Sequence, residues 1–273
     1  MLFRSGRFDA TNAWDSDVAI LTNVSLDHQS WLGDNIKAIG REKAGIFRAS
    51  KPAIIGEPKP PQSVLNYLQA IKAKHLKFNI KSSNKTWEFS NNRQSFKDLV
   101  FPNIPGQFQL NNAACAIHAA IEIAPNKVTK AIINSALTNV QLTGRLQTIK
   151  HKQRNFLVDV AHNREAVNHL KQYLSSQKCS AIFGVMKDKD IKGIIEIINP
   201  NVKKWHIFDL QHERAETCQQ LELKLLEYHP FVTVHSSIYQ AIDAATQDDE
   251  LICVFGSFIT VAHFLKVIQN EKH

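Results

Sequence analysis

Apolar residues along this chain fall into short uninterrupted runs, separated by stretches whose apolar positions recur at helical spacing. That alternation predicts a parallel sheet covered by helices. Residues 17–24 (DVAILTNV) form the first apolar run, bounded by polar residues as a buried strand should be. Residues 34–47 carry Ile36, Ile39 and Gly40 at helical offsets and predict a helix after a loop. Residues 52–57 (PAIIGE) predict the next strand, and residues 61–75 the next helix, with Val64, Leu65, Leu68 and Ile71 on one face. Between 78 and 105 the pattern loosens, and runs such as KTWEFS predict hairpins on the rim of that sheet. Two helices follow, at 107–123, where many alanines allow close packing, and at 126–137 after Pro125.

Near residues 139–144 (NVQLTG) the helical pattern ends and a second alternating series begins. It predicts strands at 155–160, 181–185, 205–208, 232–235 and 251–255, with helices at 164–175, 189–198, 215–228, 238–246 and 257–269. The last helix shows Val261, Phe264, Leu265 and Ile268 at i, i+3, i+4 and i+7. This half therefore reads as a doubly wound α/β domain.

With 273 residues, 44% of them apolar, the chain can bury one large core or two moderate ones. Its 33 Lys and Arg against 25 Asp and Glu give a net charge of +8, which suits an anionic partner but does not choose among a nucleotide, a polycarboxylate and a nucleic acid. Cys115, Cys179, Cys218 and Cys253 are far apart, which disfavours a zinc knuckle or a CxxC pair and favours reduced thiols in the cytoplasm. No apolar run reaches the ~20 residues that span a bilayer, and the start, MLFRSGRFDATN, lacks a signal-peptide pattern. No GxGxxG is present, and the basic residues are dispersed, which places dinucleotide and nucleic-acid binding last.

Two loops of the second half lie just past a strand and before a helix, where doubly wound folds bind ligands: VDVAHN, with Asp159, His162 and Asn163, and FGSFIT, with Gly256, Ser257 and Thr260. Each also has an ordinary reading, in which Asp159 and Asn163 cap a helix and Gly256 makes a turn. In the first half, His28 after a strand reads on its own more readily as a surface histidine than as a ligand, and Lys43 in REKAG as a solvated helix residue. Arg145 after Gly144 reads as a surface charge.

The order of the motifs carries more than any one of them. GRFDATN from Gly6, LDHQSWLG from Leu26, GREKAGIF from Gly40, QLNNAACAI from Gln109, LTGRLQ from Leu142, DVAHN from Asp159, MKDKDI from Met186 and FGSFITVAHFL from Phe255 closely resemble folylpolyglutamate synthase and its bifunctional form with dihydrofolate synthase, relatives of the Mur peptide ligases. The resemblance covers nearly the whole chain. It implies a P-loop NTPase-like parallel-sheet domain, of which residues 1–140 are the C-terminal part, followed by a doubly wound, Rossmann-like domain at 141–273. It also implies ATP and Mg2+, and a reaction in which a carboxylate of dihydropteroate or of a folate is phosphorylated and then attacked by the amino group of L-glutamate.

By position, the resemblance makes His28 a magnesium ligand and Lys43 a catalytic lysine that supports the metal as a carbamate. Asn112, Arg145 and Asp159 would contact ATP, with His162 beside them as a catalytic residue. Phe8, Asp9 and Ala10 match the segment that holds the pterin substrate. The chain departs from the family at Arg164, where proline is common, and at Ile259, where histidine is common. A larger departure is that no Gly-Lys-Ser or Gly-Lys-Thr occurs in the 273 residues, although such a loop is what wraps phosphates in backbone N–H groups. The expectation is therefore the C-terminal two thirds of the enzyme, inactive alone, complemented by a separate N-terminal polypeptide or else a non-catalytic remnant that binds a nucleotide or a partner chain. No membrane or nucleic-acid partner is expected.

Overall fold

The computed structural model describes residues 10–24, 35–248 and 251–271. The chain divides into two compact units, Met1–Gln141 and Leu142–His273.

In the first unit β1 (Ala19–Leu21), β2 (Pro52–Ile55) and β3 (Lys74–Leu76) form a parallel sheet in that order. Helix α1 (Ile36–Ala44) joins β1 to β2 and starts at Asn35, whose side chain accepts from the Ala38 N–H at 2.8 Å. Helix α2 (Gln62–Ala70) joins β2 to β3. It is shorter than the predicted 61–75, because Lys72 takes a left-handed backbone (φ +55°) and turns the chain so that β3 pairs with β2. Ala19, Leu21, Ala53 and Ile55 pack against Ala44, Phe47, Val64 and Leu68.

The hairpins expected on the rim of that sheet form a sheet of their own. Strands β4 (Asn79–Ser82), β5 (Trp87–Ser90) and β6 (Ser95–Leu99) are antiparallel. Trp87 and Phe89 alternate inward to bury against Leu110, Ala114, Ile117 and Ile121 of α3 (Phe108–Ile123) and Ile133 and Leu137 of α4 (Lys130–Asn139). The Trp87 indole N–H donates to the Val100 carbonyl at 2.8 Å, which satisfies the polar end of a buried ring. A 3-10 turn, Pro125–Lys127, and the cap Thr129 delay α4 relative to the predicted start at 126.

The second unit carries a six-stranded sheet of order β11-β10-β9-β12-β8-β7. Its strands are β7 (Gln147–His151), β8 (Arg154–Val158), β9 (Cys179–Phe183), β10 (Val202–Phe208), β11 (Val232–His235) and β12 (Leu251–Phe255). All neighbours are parallel except β7 and β8. Helices α5 (Arg164–Leu174), α6 (Ile191–Ile198) and α7 (Cys218–Leu226) bury one face, with Phe183, Trp205 and Phe255. Helices α8 (Ile238–Asp248) and α9 (Phe258–Asn270) bury the other, with Phe156, Ile182 and Val254. The period-2 alternation of each strand therefore feeds both cores. Strand β7 is an addition to the predicted set: its residues are mostly polar, and its turn to β8 is Lys152–Gln153 (φ +47° and +61°), with neither the glycine nor the asparagine that signals such hairpins.

Candidate functional site

Because β12 inserts between β8 and β9 and is followed by α9, on the face opposite to the α5 and α6 that follow β8 and β9, the crevice beyond the carboxyl ends of these strands is the switch point of the sheet. Three loops meet there. The Gly256 N–H donates to the Ala161 carbonyl at 3.0 Å and the Gly184 N–H to the Phe255 carbonyl at 3.4 Å. Gly256 has φ +112°, and a Cβ would stand 2.5 Å from the Gly184 carbonyl oxygen, so no other residue fits unstrained. Ser257 caps α9 by accepting from the Thr260 N–H at 3.0 Å, and the Thr260 hydroxyl donates to the Gly184 carbonyl at 2.6 Å. Asn163 caps α5 by accepting from the Ala166 N–H at 2.9 Å. The ordinary readings of Asn163 and Gly256 thus hold, and Ser257 is a helix cap as well.

Asp159 does something else. Its side chain is buried, with one oxygen accepting from the Leu146 N–H at 2.8 Å and the other from the Ala161 N–H at 2.7 Å. Burial pushes its pKa up, against the opposing pull of those two N–H groups and of the nearby Arg145 and His162. The bond to Leu146 pins a turn in which Gly144 (φ +69°) and Leu146 (φ +44°) are both left-handed and which projects Arg145 between them. The bond to Ala161 orders the loop that carries His162, whose Nδ1 lies 2.8 Å from the Val160 carbonyl. One carboxylate therefore fixes the backbones of two other candidate residues. Both side chains lie near the Phe258 ring: the Arg145 guanidinium carbon is 5.9 Å from its centroid, and the His162 ring is centred 5.9 Å away. The arrangement presents a permanent cation and an imidazole at the carboxyl edge of the sheet, which suits an anion.

In the first unit Lys43, at the end of α1, donates through Nζ to the Asn23 carbonyl at 3.3 Å, so it sits just past the carboxyl end of β1. Glu57, past the end of β2, accepts there from the Val24 N–H at 3.4 Å and from the Lys59 N–H at 3.1 Å. Helix α3 closes on the same edge: the Cys115 sulfur would lie 2.8 Å from a Cβ on Gly56. Asn112, one turn before Cys115, donates to the Gln109 side-chain oxygen at 2.9 Å.

The structure thus groups Arg145, Asp159 and His162 in one unit and places Lys43 on the strand-end edge of the other. Phe8, Asp9 and His28 lie outside the described residues, and Ala10 opens a 3-10 turn, Ala10–Ala13. Among the described residues no group of three or more His, Cys, Asp or Glu side chains could hold a metal ion. Sequence reasoning missed Glu57 and Phe258. Phe258 stands at helical spacing from Val261 and Leu265, which is the pattern of a core position, yet it is 61% exposed.

Residues 4–120 match the model of the Mur ligase middle domain, and residues 144–258 that of the Mur ligase glutamate ligase domain. The dihydrofolate synthase/folylpolyglutamate synthase of Escherichia coli is 35% identical over 278 residues, which cover 98% of this chain and 64% of that protein. Escherichia coli FolC in complex with DHPP and ADP superposes with a TM-score of 0.86 at 33% identity, over 98% of this chain and 65% of that one. The bifunctional folylpolyglutamate synthase/dihydrofolate synthase with Mn, AMPPNP and L-glutamate bound has a TM-score of 0.83 at 34% identity, over 97% and 65%. The chain therefore spans about two thirds of the length of these relatives.

Proposed function

Because the chain belongs to the Mur ligase family, in its dihydrofolate synthase/folylpolyglutamate synthase branch, we propose that it is part of an ATP-dependent ligase of folate biosynthesis, adding L-glutamate to dihydropteroate, to a folate, or to both through an acyl phosphate. The observation that carries this reading is the gathering of Arg145, Asp159 and His162 at the switch point of the second unit. Phosphoryl transfer crowds negative charge, and positioned cations relieve it. Arg145 supplies such a cation to the phosphates of ATP, His162 stands beside it as a hydrogen-bonding and proton-holding group, and Asp159 serves nucleotide binding by holding both loops. Asn112 is proposed separately as an ATP contact of the first unit, residues 1–140, which we read as the C-terminal part of the Mur middle domain. Residues 141–273 are then the Mur C-terminal domain, Phe8, Asp9 and Ala10 hold the pterin end of the substrate, and the four buried free thiols suit the cytoplasm.

Magnesium belongs with this proposal, but the described residues alone do not fit its shell: no cluster of ligating side chains is present among them, and Lys43 donates a hydrogen bond as an amine would. We therefore route no step through the metal. We propose His28, and Lys43 converted to a carbamate, as contacts that need further ligands from outside these residues. Intact-mass and peptide analysis at high bicarbonate would detect one added carbon dioxide on Lys43, absent in Lys43→Arg; an unmodified Lys43 under those conditions would remove the carbamate from the proposal.

The 273 residues contain no Gly-Lys-Ser or Gly-Lys-Thr, so the phosphate-wrapping loop is proposed to come from a polypeptide segment outside them. The same observation favours a second reading, a non-catalytic subunit that binds a nucleotide. Titration of ADP into the purified chain, followed by a ligation assay with and without a P-loop-bearing N-terminal polypeptide of the family, decides between them. The ligase reading expects ADP binding and glutamate addition only in the mixture. ADP binding with no ligation in the mixture favours the second, and no ADP binding removes both.

A further inference from the structure

We infer that Phe258 is a positioning residue of this site, whose exposed ring holds the Arg145 guanidinium beside the His162 imidazole for a phosphate group; this rests on the nucleotide reading of the second unit. Phe258 is the first residue of α9, directly after its cap Ser257. Helical spacing aligns it with Val261 and Leu265, but the core stops at Val261, and the ring stands 61% exposed. A single exposed apolar residue would mean nothing. What distinguishes this one is its neighbours.

Arg145 and His162 come from different loops, and both lie 5.9 Å from the same ring, Arg145 as a cation–π contact and His162 as a ring tilted by 48°. The backbone of Phe258 is anchored without using either side chain. Gly256 is tied to Ala161, and Ser257 and Thr260 are tied to each other and to Gly184. The ring is therefore carried by the most firmly bonded of the three loops and meets the long side chain with most rotamer freedom to lose. Asp159 fixes where the Arg145 main chain starts, and Phe258 limits where its guanidinium ends. An arginine held in advance surrenders less entropy when it binds a phosphate.

The test uses the full chain, inorganic pyrophosphate as the probe, and Phe258→Ala, Phe258→Leu and Phe258→Tyr. Phe258→Leu keeps apolar bulk without a π face, and Phe258→Tyr keeps the ring. Removal of a cation–π contact at an exposed position should weaken pyrophosphate binding by about two- to fivefold in the Ala and Leu variants, with the Tyr variant near wild type. A second readout needs no ligand: NMR should show ring-current shifts on the Arg145 side-chain and His162 ring protons that vanish in Phe258→Leu and persist in Phe258→Tyr. Unchanged shifts in Phe258→Leu, or unchanged pyrophosphate affinity in a wild type that binds it, would overturn the inference. If wild type binds no pyrophosphate but the shifts vanish as expected, the positioning role stands and the nucleotide reading fails.

Discussion

The two units reach the same strand-end geometry by different means. In Leu142–His273 a six-stranded sheet is covered on both faces, and its candidate residues are joined through one buried carboxylate and one aromatic ring. In Met1–Gln141 the parallel sheet has three strands among the described residues, with β1 at an edge, and Lys43 is placed mainly by its position on a helix and a hydrogen bond to the Asn23 carbonyl. The second site is prearranged by tertiary bonds between loops, whereas the described part of the first is prearranged by secondary structure. The second should therefore be sensitive to changes in its stitching residues, and the first to changes in the packing that holds its helices.

The largest separation between the units is expected from Trp205→Ala. Trp205 is fully buried against Phe183 and Phe255, and its truncation should cost about 3–5 kcal/mol of the stability of the second unit. Amide exchange should accelerate across β8–β12 and leave β1–β3 unchanged; equal acceleration in both would mean the units do not unfold separately. Asp159→Asn comes next. An amide cannot accept from both the Leu146 and Ala161 N–H groups with its NH2 end, so one buried N–H loses its partner at a cost of about 1–3 kcal/mol. ADP or pyrophosphate binding should weaken with it, since the turns of Arg145 and His162 loosen together. Wild-type melting of this variant would show that the carboxylate ties nothing.

Acid should move the units in opposite directions. His118, buried among Phe78 and Phe89 with neither ring nitrogen hydrogen-bonded, has its pKa lowered from 6.5 chiefly by burial. The unfolded chain then binds the proton more readily, so the first unit loses stability as pH falls from about 6.5 towards the depressed folded value. Asp159 is shifted the other way, its pKa raised above 3.8 by burial, so its contribution to the second unit is present below the unfolded value and is lost as pH rises through the folded one. Between pH 7 and 5.5, the midpoint of the first unit should fall in wild type and stay flatter in His118→Phe; the same slope in both would exclude His118 as the cause. The smallest effect is expected from Lys152→Ala. Lys152 joins Asp243 and Glu271 at the β7–β8 turn, but it is a solvent-exposed ion-pair partner, and its loss should cost less than about 1 kcal/mol, less again at high salt. A larger, salt-independent loss would show that the turn is held by more than charge.

Much of this was legible in the residue pattern. The alternation of apolar runs with helical spacing located the five parallel strands of the second unit, because the inner strands, buried on both faces, are largely apolar and the edge strand β11 still alternates Val232 and Val234 with polar residues. It missed β7, an edge strand whose solvent-facing residues carry little apolar signal, and it assigned the β4–β6 region to the wrong sheet, since periodicity does not say which neighbour a strand packs on. The ordered motifs identified the family and pointed to Arg145, Asp159 and His162. They did not reveal that Asp159 faces inward to two backbone N–H groups, nor that Arg145 and His162 both meet the Phe258 ring.

What the residues by themselves determined, then, is the class of fold, the family, and which polar side chains stand at strand ends, because all three follow from local spacing and order along the chain. What only the tertiary structure decided is which of those side chains meet and what holds them. That depends on the insertion of β12 between β8 and β9, a long-range pairing that brings residues 144–146, 159–162 and 256–258 within hydrogen-bonding and ring-contact distance although they are separated by up to a hundred or so positions along the chain.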